Sequence, residues 1–164
     1  MGLLVEELSP QRHDRTTFDC GNEPLNRYLR ELAVQHRAKG LSTTFVLTDS
    51  ESASLVMGYY SLSAAALALE KLSETDSKRL PRYPIPVVRI GRLAVDLKMR
   101  KRGLGELLLQ HAITRILAVR ATMGVYAVVV DAKDDAALAF YKKYGFRPCT
   151  NETRQMYLPL GRTQ

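Results

Sequence analysis

A basic, glycine-containing segment stands directly before a helix-like pattern and could bind an anion. It reads DLKMRKRGLGELLLQHA over residues 96–112, and four of the five residues from Lys98 to Arg102 are cationic. Gly103 and Gly105 allow a ligand to approach the backbone closely. The first amides of a helix have no partners within the helix, and the helix dipole adds partial positive charge there. The pattern predicts a site suited to phosphate; a solvated basic turn before a helix is the alternative.

The spacing of this loop differs from two common phosphate-binding motifs. It reads Arg-x-x-Gly-x-Gly over 100–105, without the Gly-Lys-Ser/Thr ending of a Walker loop or the GxGxxG of a dinucleotide fingerprint. Further along, AFYKKYGF (139–146) follows an apolar strand-like segment and places a tyrosine in a helix. Together the two motifs resemble the GNAT superfamily of acetyl-CoA-dependent N-acetyltransferases. Its phosphate loop is Gln/Arg-x-x-Gly-x-Gly/Ala and its later helix often reads A-x-x-F-Y-x-x-x-G-F, which residues 137–146 match.

This resemblance implies an acetyl-CoA site in a mixed α/β fold. In the family a central twisted mixed sheet is flanked by helices, and a splayed pair of strands forms the acetyl-CoA cleft. The pantetheine arm of the cofactor pairs with the strand before the loop, here Leu93, Ala94 and Val95. The pyrophosphate contacts the loop residues, here Arg100, Lys101, Arg102, Gly103, Leu104, Gly105 and Glu106. No metal is implied.

The resemblance also gives Tyr141 a catalytic role. The family tyrosine stands next to the sulfur, where its phenol donates a proton to the leaving thiolate or hydrogen-bonds to it. A core aromatic with a satisfied hydroxyl is the alternative. A free amide near Val95 would stabilise the carbonyl oxygen as it gains negative charge. Many members carry asparagine near the start of the last helix, where this chain has Asp134.

The segment FDCGNEPLNRYL (18–29) resembles the start of one GNAT subgroup, the acetyltransferase toxins of bacterial type II toxin–antitoxin modules. The subgroup implies that the enzyme acetylates the α-amino group of aminoacyl-tRNA and so inhibits translation in the cytoplasm. It also implies a small DNA-binding antitoxin as partner, and a homodimer is a further hypothesis. Two other functions stay open. One is a GNAT enzyme for a small amine, peptide or protein N-terminus; the other is a non-catalytic acyl-CoA or RNA binding module.

Strand-like and helix-like patterns alternate along the chain, which predicts a single mixed α/β domain over residues 1–164. Apolar and β-branched runs predict strands at 3–8, 43–49, 54–69, 87–95, 124–132 and 153–160. Helical spacing predicts helices over 22–40, 73–80, 104–120 and 135–146, with Asn22 as a cap and glycines at the ends of the first and last. Prolines predict an extended segment at 81–86.

The net charge of +7 on 164 residues favours anionic partners. Besides the loop, three basic clusters could contact the phosphates of a tRNA or be solvated faces: Arg27, Arg30, Arg37 and Lys39 in the first helix; Lys78, Arg79 and Arg82 near the prolines; Arg89 and Arg92 in the strand entering the loop. Side chains three residues apart leave opposite faces of a regular strand. Only one of Arg89 and Arg92 is therefore expected to face the substrate, unless the bulge expected in this strand changes the alternation.

The other potentially reactive residues favour no different chemistry. Cys20 and Cys149 lack metal-type spacing and are expected to be small buried residues with free thiols. The three histidines are scattered, which argues against a zinc site, and His36 and His111 are expected at the surface or its boundary. Asp131 and Lys133 are expected to be exposed loop charges. No apolar run has the length of a membrane span, and the N-terminus is too acidic and short for a signal peptide.

Overall fold

The computed structural model describes residues 2–150 and 154–161, in which seven strands alternate with five α-helices. The strands are β1 (Leu3–Glu7), β2 (Thr43–Asp49), β3 (Gly58–Leu67), β4 (Ile85–Val95), β5 (Ala127–Asp131), β6 (Arg147–Pro148) and β7 (Gln155–Pro159). The helices are α1 (Glu23–Arg27), α2 (Ala33–Ala38), α3 (Glu74–Ser77), α4 (Leu104–Val119) and α5 (Asp135–Lys143). A π-helical turn covers Tyr28–Leu32, and 3-10 turns cover Leu69–Lys71 and Leu97–Met99. The predicted start of the last strand, Thr153, lies outside the described residues.

The strands form one sheet in the order β1-β2-β3-β4-β5-β7-β6. Pairing is antiparallel at β1–β2, β2–β3, β5–β7 and β6–β7, whereas β4 and β5 run parallel. The residues from Ala127 to Val130 in β5 are completely buried, as their continuous apolar sequence predicts for a strand covered on both faces. The sheet is therefore mixed and has helices in its connections, which confirms the predicted fold class.

The chain forms two compact units, residues 1–63 with 91–114 and residues 64–90 with 115–164. The core of the first unit contains Phe18, Tyr28, Leu29, Val46, Tyr59 and Ala94. The core of the second unit contains Leu67, Leu72, Ile85, Val87, Val129 and Tyr157. The single domain over 1–164 stays a prediction.

The predicted first helix forms, but a π-helical turn interrupts it. Asn22 caps α1, because its side-chain oxygen accepts a hydrogen bond from the Leu25 N–H (3.1 Å). In the π turn, Nη1 of Arg15 donates to the backbone oxygens of Leu29 (3.2 Å) and Arg30 (3.4 Å). Helical spacing does not predict this turn, because the arginine that bonds its carbonyls stands before the helix and outside its repeat.

One carboxylate joins α3, β6 and β7 in the second unit. An oxygen of Asp76 accepts hydrogen bonds from Nη1 of Arg147 (2.6 Å) and from the Tyr157 hydroxyl (2.5 Å). The Tyr157 hydroxyl oxygen also accepts from the Ser73 N–H (3.0 Å). Burial by itself raises the pKa of Asp76, but the bonds from Arg147, Tyr157 and Ser73 outweigh burial and hold the pKa below its usual value.

We expect Asp76→Asn to lower the free energy of unfolding by about 1–3 kcal/mol at pH 7, because it removes a charged hydrogen-bond acceptor. A carboxyl whose pKa is lower in the folded than in the unfolded state contributes its stability above the unfolded pKa. That contribution is lost as the pH falls through the folded pKa. Urea unfolding at pH 7 and near pH 3 should therefore show that the variant and the unmodified chain differ less in free energy of unfolding at the lower pH. Glu51→Gln, at an exposed carboxylate, is the control. An equal difference at both pH values would contradict this account.

Candidate functional site

The basic loop and the start of α4 form a candidate anion site built from backbone amides. Lys101 (φ 65°) and Gly103 (φ 72°) adopt left-handed backbone conformations that turn the chain into α4, which begins at Leu104. The Leu107 N–H donates to the Gly103 carbonyl (3.1 Å), which is the first bond of the helix. The amides of residues 104–106 therefore have no acceptor within the helix, and the positive end of the helix dipole lies with them.

The surroundings of these amides fit a diphosphate. A Cβ built on Gly103 would meet no atom within 4 Å, so the backbone is accessible at this point. The four cationic side chains of the loop are exposed: Lys98, Arg100, Lys101 and Arg102. Backbone donors, the helix dipole and exposed cations together stabilise the negative charge of phosphates. The residues present therefore suit the pyrophosphate of coenzyme A.

A buried carboxylate holds this loop in place. Asp96 is 4% exposed, and its oxygens accept hydrogen bonds from the backbone N–H groups of Asp19 (3.1 Å) and Lys98 (2.9 Å). The Leu97 N–H donates to the Asp19 carbonyl (2.9 Å). The guanidinium of Arg100 donates to the carbonyl of Cys20 (3.1 Å). We name residues 19–21 the platform, because the loop is bonded to them on both sides of its 3-10 turn.

The platform is itself fixed by side-chain hydrogen bonds. Oδ1 of Asp19 accepts from the Gly21 N–H (2.8 Å) and from Nδ2 of Asn26 (2.9 Å), and these bonds hold the pKa of Asp19 below its usual value. Asn26 is 3% exposed and also accepts from the Cys20 N–H (2.9 Å). The subgroup resemblance and the helix cap at Asn22 do not indicate the roles of Asp19, Asn26 and Asp96. The one signal in the sequence was the cluster of short polar residues before the first helix.

The strand that leads into the loop continues past its pairing with β5. The register between the two strands covers Val87–Ile90 of β4, and β4 extends to Val95. Residues 91–95 therefore lie outside that register, and the splayed strand pair expected from the family stays a prediction. Leu93 and Val95 are half-buried and Ala94 is buried. Their contact with the pantetheine arm stays a prediction.

The two arginines of β4 already have partners. The guanidinium of Arg92 lies 3.5 Å from the centroid of the Tyr28 ring, in the first unit. The guanidinium of Arg89 forms an ion pair with Asp131, in the second unit. Asp131 is exposed, as expected, but paired. A tRNA phosphate would have to compete with these partners for either arginine.

The other basic clusters differ in how far their charge is neutralised. Three of the four first-helix cations form ion pairs within the first unit: Arg27 with Glu31 (3.5 Å), Arg30 with Glu23 (2.7 Å) and Arg37 with Glu7 (2.9 Å). Lys78, Arg79 and Arg82 are exposed, and within residues 2–150 and 154–161 they form no ion pair. The segment 78–82 therefore presents the less compensated charge.

Tyr141 lies in α5, in the second unit, with its hydroxyl unbonded. The residue is 7% exposed, and its ring packs edge-on against Phe140 and Phe146, with centroids 5.3 Å apart in each case. Burial, and next the negative charge of Asp131, raise the pKa of the phenol well above its ordinary value of 10.0. Among the residues that the structure describes, nothing hydrogen-bonds the hydroxyl, whereas the Tyr59 hydroxyl donates to a backbone carbonyl. The phenol thus stays protonated with a free donor.

The remaining candidates have structural roles. Asp134 caps α5, because its carboxylate accepts from the Ala137 N–H (2.8 Å), a role that asparagine performs equally well. Both cysteines are buried and neither belongs to a disulfide, as predicted. His36 and His111 are half-buried and hydrogen-bond to tyrosine hydroxyls, in agreement with a boundary position. The described part of the chain contains no group of metal-ligating side chains and no helix long and apolar enough to cross a membrane.

Residues 75–160 match the acetyltransferase (GNAT) domain family. The chain belongs to the GNAT family. It is 35% identical over 133 residues to a tRNA-acetylating toxin of Mycobacterium tuberculosis (strain ATCC 25618 / H37Rv), across 81% of this chain and 78% of that protein. It is 27% identical over 165 residues to a probable toxin TacT of Sinorhizobium fredii (strain NBRC 101917 / NGR234), across 96% of this chain and 91% of that one.

Solved structures of toxins share the fold over nearly the whole chain. AtaT complexed with acetyl-methionyl-tRNAfMet superposes with a TM-score of 0.89 at 29% identity, over 96% of this chain and 95% of that chain. AtaTR bound with AcCoA superposes with a TM-score of 0.81 at 32% identity, over 96% of this chain and 93% of that chain. A tyrosine-to-phenylalanine mutant of AtaT bound to the C-terminus of the antitoxin AtaR superposes with a TM-score of 0.79 at 29% identity, over 96% of this chain and 92% of that chain. The prediction of a GNAT acetyltransferase is confirmed; the individual site residues stay predictions.

We expect Gly105→Glu to abolish acetyl-CoA binding, because it adds a carboxylate beside the amides that would receive the phosphates. Gly124→Glu is the matched control, since a Cβ at that exposed glycine meets no atom within 4 Å. Calorimetric titration with acetyl-CoA should give an unchanged Kd for the control and no measurable heat of binding for Gly105→Glu. A folded Gly105→Glu protein with unchanged affinity would end the assignment of the phosphate loop.

Proposed function

We propose that this chain transfers the acetyl group of acetyl-CoA to the α-amino group of aminoacyl-tRNA and thereby inhibits translation. The observation that carries the proposal is the amide-lined loop before α4 in a chain that is 35% identical to a tRNA-acetylating toxin. Aminoacyl-tRNA is a cytoplasmic substrate, so we place the activity in the cytoplasm. The likeness to a toxin bound by an antitoxin supports a small DNA-binding antitoxin as partner.

The first unit supplies the binding elements. The amides of residues 104–106 and the cations of Arg100, Lys101 and Arg102 would hold the pyrophosphate. Glu106 would contribute its backbone amide and not its side chain, because a carboxylate repels phosphate. The carboxylate instead accepts a hydrogen bond from Nε2 of Gln110 (3.3 Å). Leu93, Ala94 and Val95 would pair with the pantetheine arm. When bound, acetyl-CoA supplies a thioester from which the acetyl group can be transferred.

A backbone amide near Val95 would stabilise the developing charge. It lies in the part of β4 that extends past the register with β5. A backbone donor in this position can bond to a carbonyl oxygen as that oxygen gains negative charge. Because the strand already holds the amide in place, no reorganisation is needed at the moment of reaction.

Tyr141 would serve the leaving sulfur as a hydrogen-bond donor. The raised pKa keeps the phenol protonated, and its hydroxyl is unbonded within the described chain. A thiol has a reference pKa of about 8.5, below that of the phenol, so complete proton transfer is uphill. A hydrogen bond from the phenol to the thiolate is therefore favoured over full transfer in this protein.

The acceptor amine needs no strong general base. An α-amino group has a reference pKa of about 7.7–8.0 and is partly neutral at physiological pH. The histidines of the helices are already bonded to tyrosine hydroxyls, which agrees with this chemistry. A protein N-terminus or small amine would react in the same way, and the uncompensated cations of residues 78–82 favour the polyanionic acceptor.

We expect Tyr141→Phe to lower the turnover number by roughly 10²–10³-fold, the usual effect of removing one hydrogen-bond donor to a developing negative charge. The fold and the Kd for acetyl-CoA should change little, because the aromatic packing remains. With the unmodified enzyme, kcat/KM should rise through the pKa of the amine and show no fall below about pH 10. A Tyr141→Phe enzyme with near-normal turnover would return this residue to a packing role.

We expect the kcat/KM for aminoacyl-tRNA to fall steeply as the salt concentration rises, because each phosphate contact releases counterions. The kcat/KM for a small amine should depend only weakly on salt. Arg79→Glu should lower kcat/KM for the tRNA more than Arg27→Glu, since Arg27 is already paired with Glu31. Initial rates over a salt series with both substrates measure this. Equal, shallow salt dependences, unaffected by either variant, would remove the physical support for a tRNA acceptor.

A further inference from the structure

The loop before α4 has two features that oppose its own conformation. Four of the five residues from Lys98 to Arg102 are cationic, and all four are exposed, so like charges repel one another within a short segment. Lys101 has φ 65°, and among the described residues it is the only residue other than glycine with a positive φ. Such a backbone conformation is unfavourable for a residue with a side chain and persists only where the surroundings hold it. The loop therefore needs a constraint from outside itself.

The platform, residues 19–21, supplies that constraint. The two carboxylate oxygens of Asp96 bond to different segments, because Oδ2 accepts from the Asp19 N–H and Oδ1 accepts from the Lys98 N–H. The guanidinium of Arg100 donates to the Cys20 carbonyl (3.1 Å). These bonds all lie on the strand side of the strained residue. They fix the direction in which the chain enters the turn that leads to the free amides of α4.

Gly21 completes the contact between the platform and the loop. Its φ is 85°, and a Cβ there would come within 3.2 Å of Cδ2 of Leu97 and 3.6 Å of Nη2 of Arg100. Gly40, after the end of α2, has a similar φ of 74°, but a Cβ there would meet no atom within 4 Å. The two glycines share a conformation that disfavours other residues, and of the two only Gly21 lies against the loop.

We propose that the platform positions the loop for the pyrophosphate of acetyl-CoA, with Asp96 and Asn26 as its positioning residues. Asp96 joins the platform to the loop, and Asn26 holds the platform from α1, since its side chain bonds to Asp19 and Cys20. Neither Asp96 nor Asn26 is expected to contact the cofactor. The segment that resembles the start of the toxin subgroup, residues 18–29, thereby sets the affinity for the acetyl donor. The inference rests on the acetyl-CoA site of the proposed function and is independent of its acceptor.

Positioning and simple stabilisation of the fold differ in the ligands that they affect. If these bonds only stabilised the fold, their loss would weaken the binding of every ligand alike or of none. Positioning acts on the amides that would receive the phosphates, so its loss concerns only the phosphate-bearing part of a ligand. S-acetylpantetheine has the thioester and the arm that would pair with residues 93–95, but it has no phosphate. The ratio of the two affinities therefore separates the two roles.

The test is titration of the purified protein with acetyl-CoA by calorimetry and with S-acetylpantetheine by protein-observed NMR, both without an acceptor. Asp96→Asn should raise the Kd for acetyl-CoA about 10- to 100-fold, the scale of displacing a binding group by about 1 Å, and leave the Kd for S-acetylpantetheine within about twofold. Asparagine has one acceptor oxygen where Asp96 uses two, so one of the two N–H groups loses its partner.

Two further variants decide the question even if Asp96→Asn does not fold. Asn26→Asp places a second carboxylate beside that of Asp19, and Gly21→Ala places a methyl group against the loop. Both lie outside the loop, and both should raise the Kd for acetyl-CoA several-fold without changing that for S-acetylpantetheine. Gly40→Ala is the matched control, because it adds the same methyl group at a similar φ without touching the loop, and it should change neither Kd.

Folded variants of Asp96, Asn26 and Gly21 with an unchanged Kd for acetyl-CoA would overturn the inference. Equal losses of affinity for both ligands would also overturn it, since they would leave the platform a stabilising role alone. Failure of the proposed acceptor is seen separately. If the selective loss is found but aminoacyl-tRNA is not acetylated, the inference stands and the acceptor fails. If aminoacyl-tRNA is acetylated and the selective loss is absent, the inference fails alone.

Discussion

Two backbone amides, those of Asp19 and Lys98, donate hydrogen bonds to the buried carboxylate of Asp96. A buried charge is tolerated only when it is bonded, so these contacts fix the loop and the platform to each other. The loop in turn sets the point at which α4 begins and hence which amides remain without a helical acceptor. The proposed cofactor site therefore depends on the carboxylate of Asp96, which is not itself among the groups expected to contact the cofactor.

The same packing constrains the strand that would receive the pantetheine arm. Gly58 lies against the end of β4, and a Cβ there would come within 2.9 Å of the Ala94 carbonyl oxygen and 3.0 Å of Cδ1 of Leu108. The Asp96 N–H donates to the Met57 carbonyl (2.9 Å), immediately before that glycine. The position of residues 93–95 is thus set on one side by β3 and at its end by the Asp96 anchor. Backbone groups held this firmly suit the stabilisation of charge.

Local sequence signals predicted the parts of this protein that depend on neighbouring residues. The cap at Asn22 and the start of α4 follow from short motifs, and the structure has them where they were expected. Phosphate binding by the loop between β4 and α4 stays a prediction. The predicted ends of strands and helices were less accurate. The strand predicted at 54–69 begins at Gly58, and the helix predicted to extend to residue 146 ends at Lys143. The two-residue strand β6 was missed because nothing in Arg147–Pro148 distinguishes it from a loop.

Features that depend on distant residues could not be predicted. The platform is bonded to Asp96, which lies far along the chain, through the Asp19 N–H. From the sequence the basic clusters look alike. In the structure Arg30 and Arg37 form ion pairs, whereas the cations of residues 78–82 form none with any residue that the structure describes. Sequence spacing shows where charges are, but only the fold shows which of them are already paired.

The central claim is that the acceptor is the α-amino group of an amino acid esterified to tRNA. Its most direct test is mass spectrometry of aminoacyl-tRNA recovered after incubation with the purified enzyme and acetyl-CoA. The account predicts an added acetyl group on the α-nitrogen of the aminoacyl moiety, with uncharged tRNA left unmodified. Unmodified aminoacyl-tRNA, in a reaction where the same enzyme acetylates a free peptide or small amine, would contradict it.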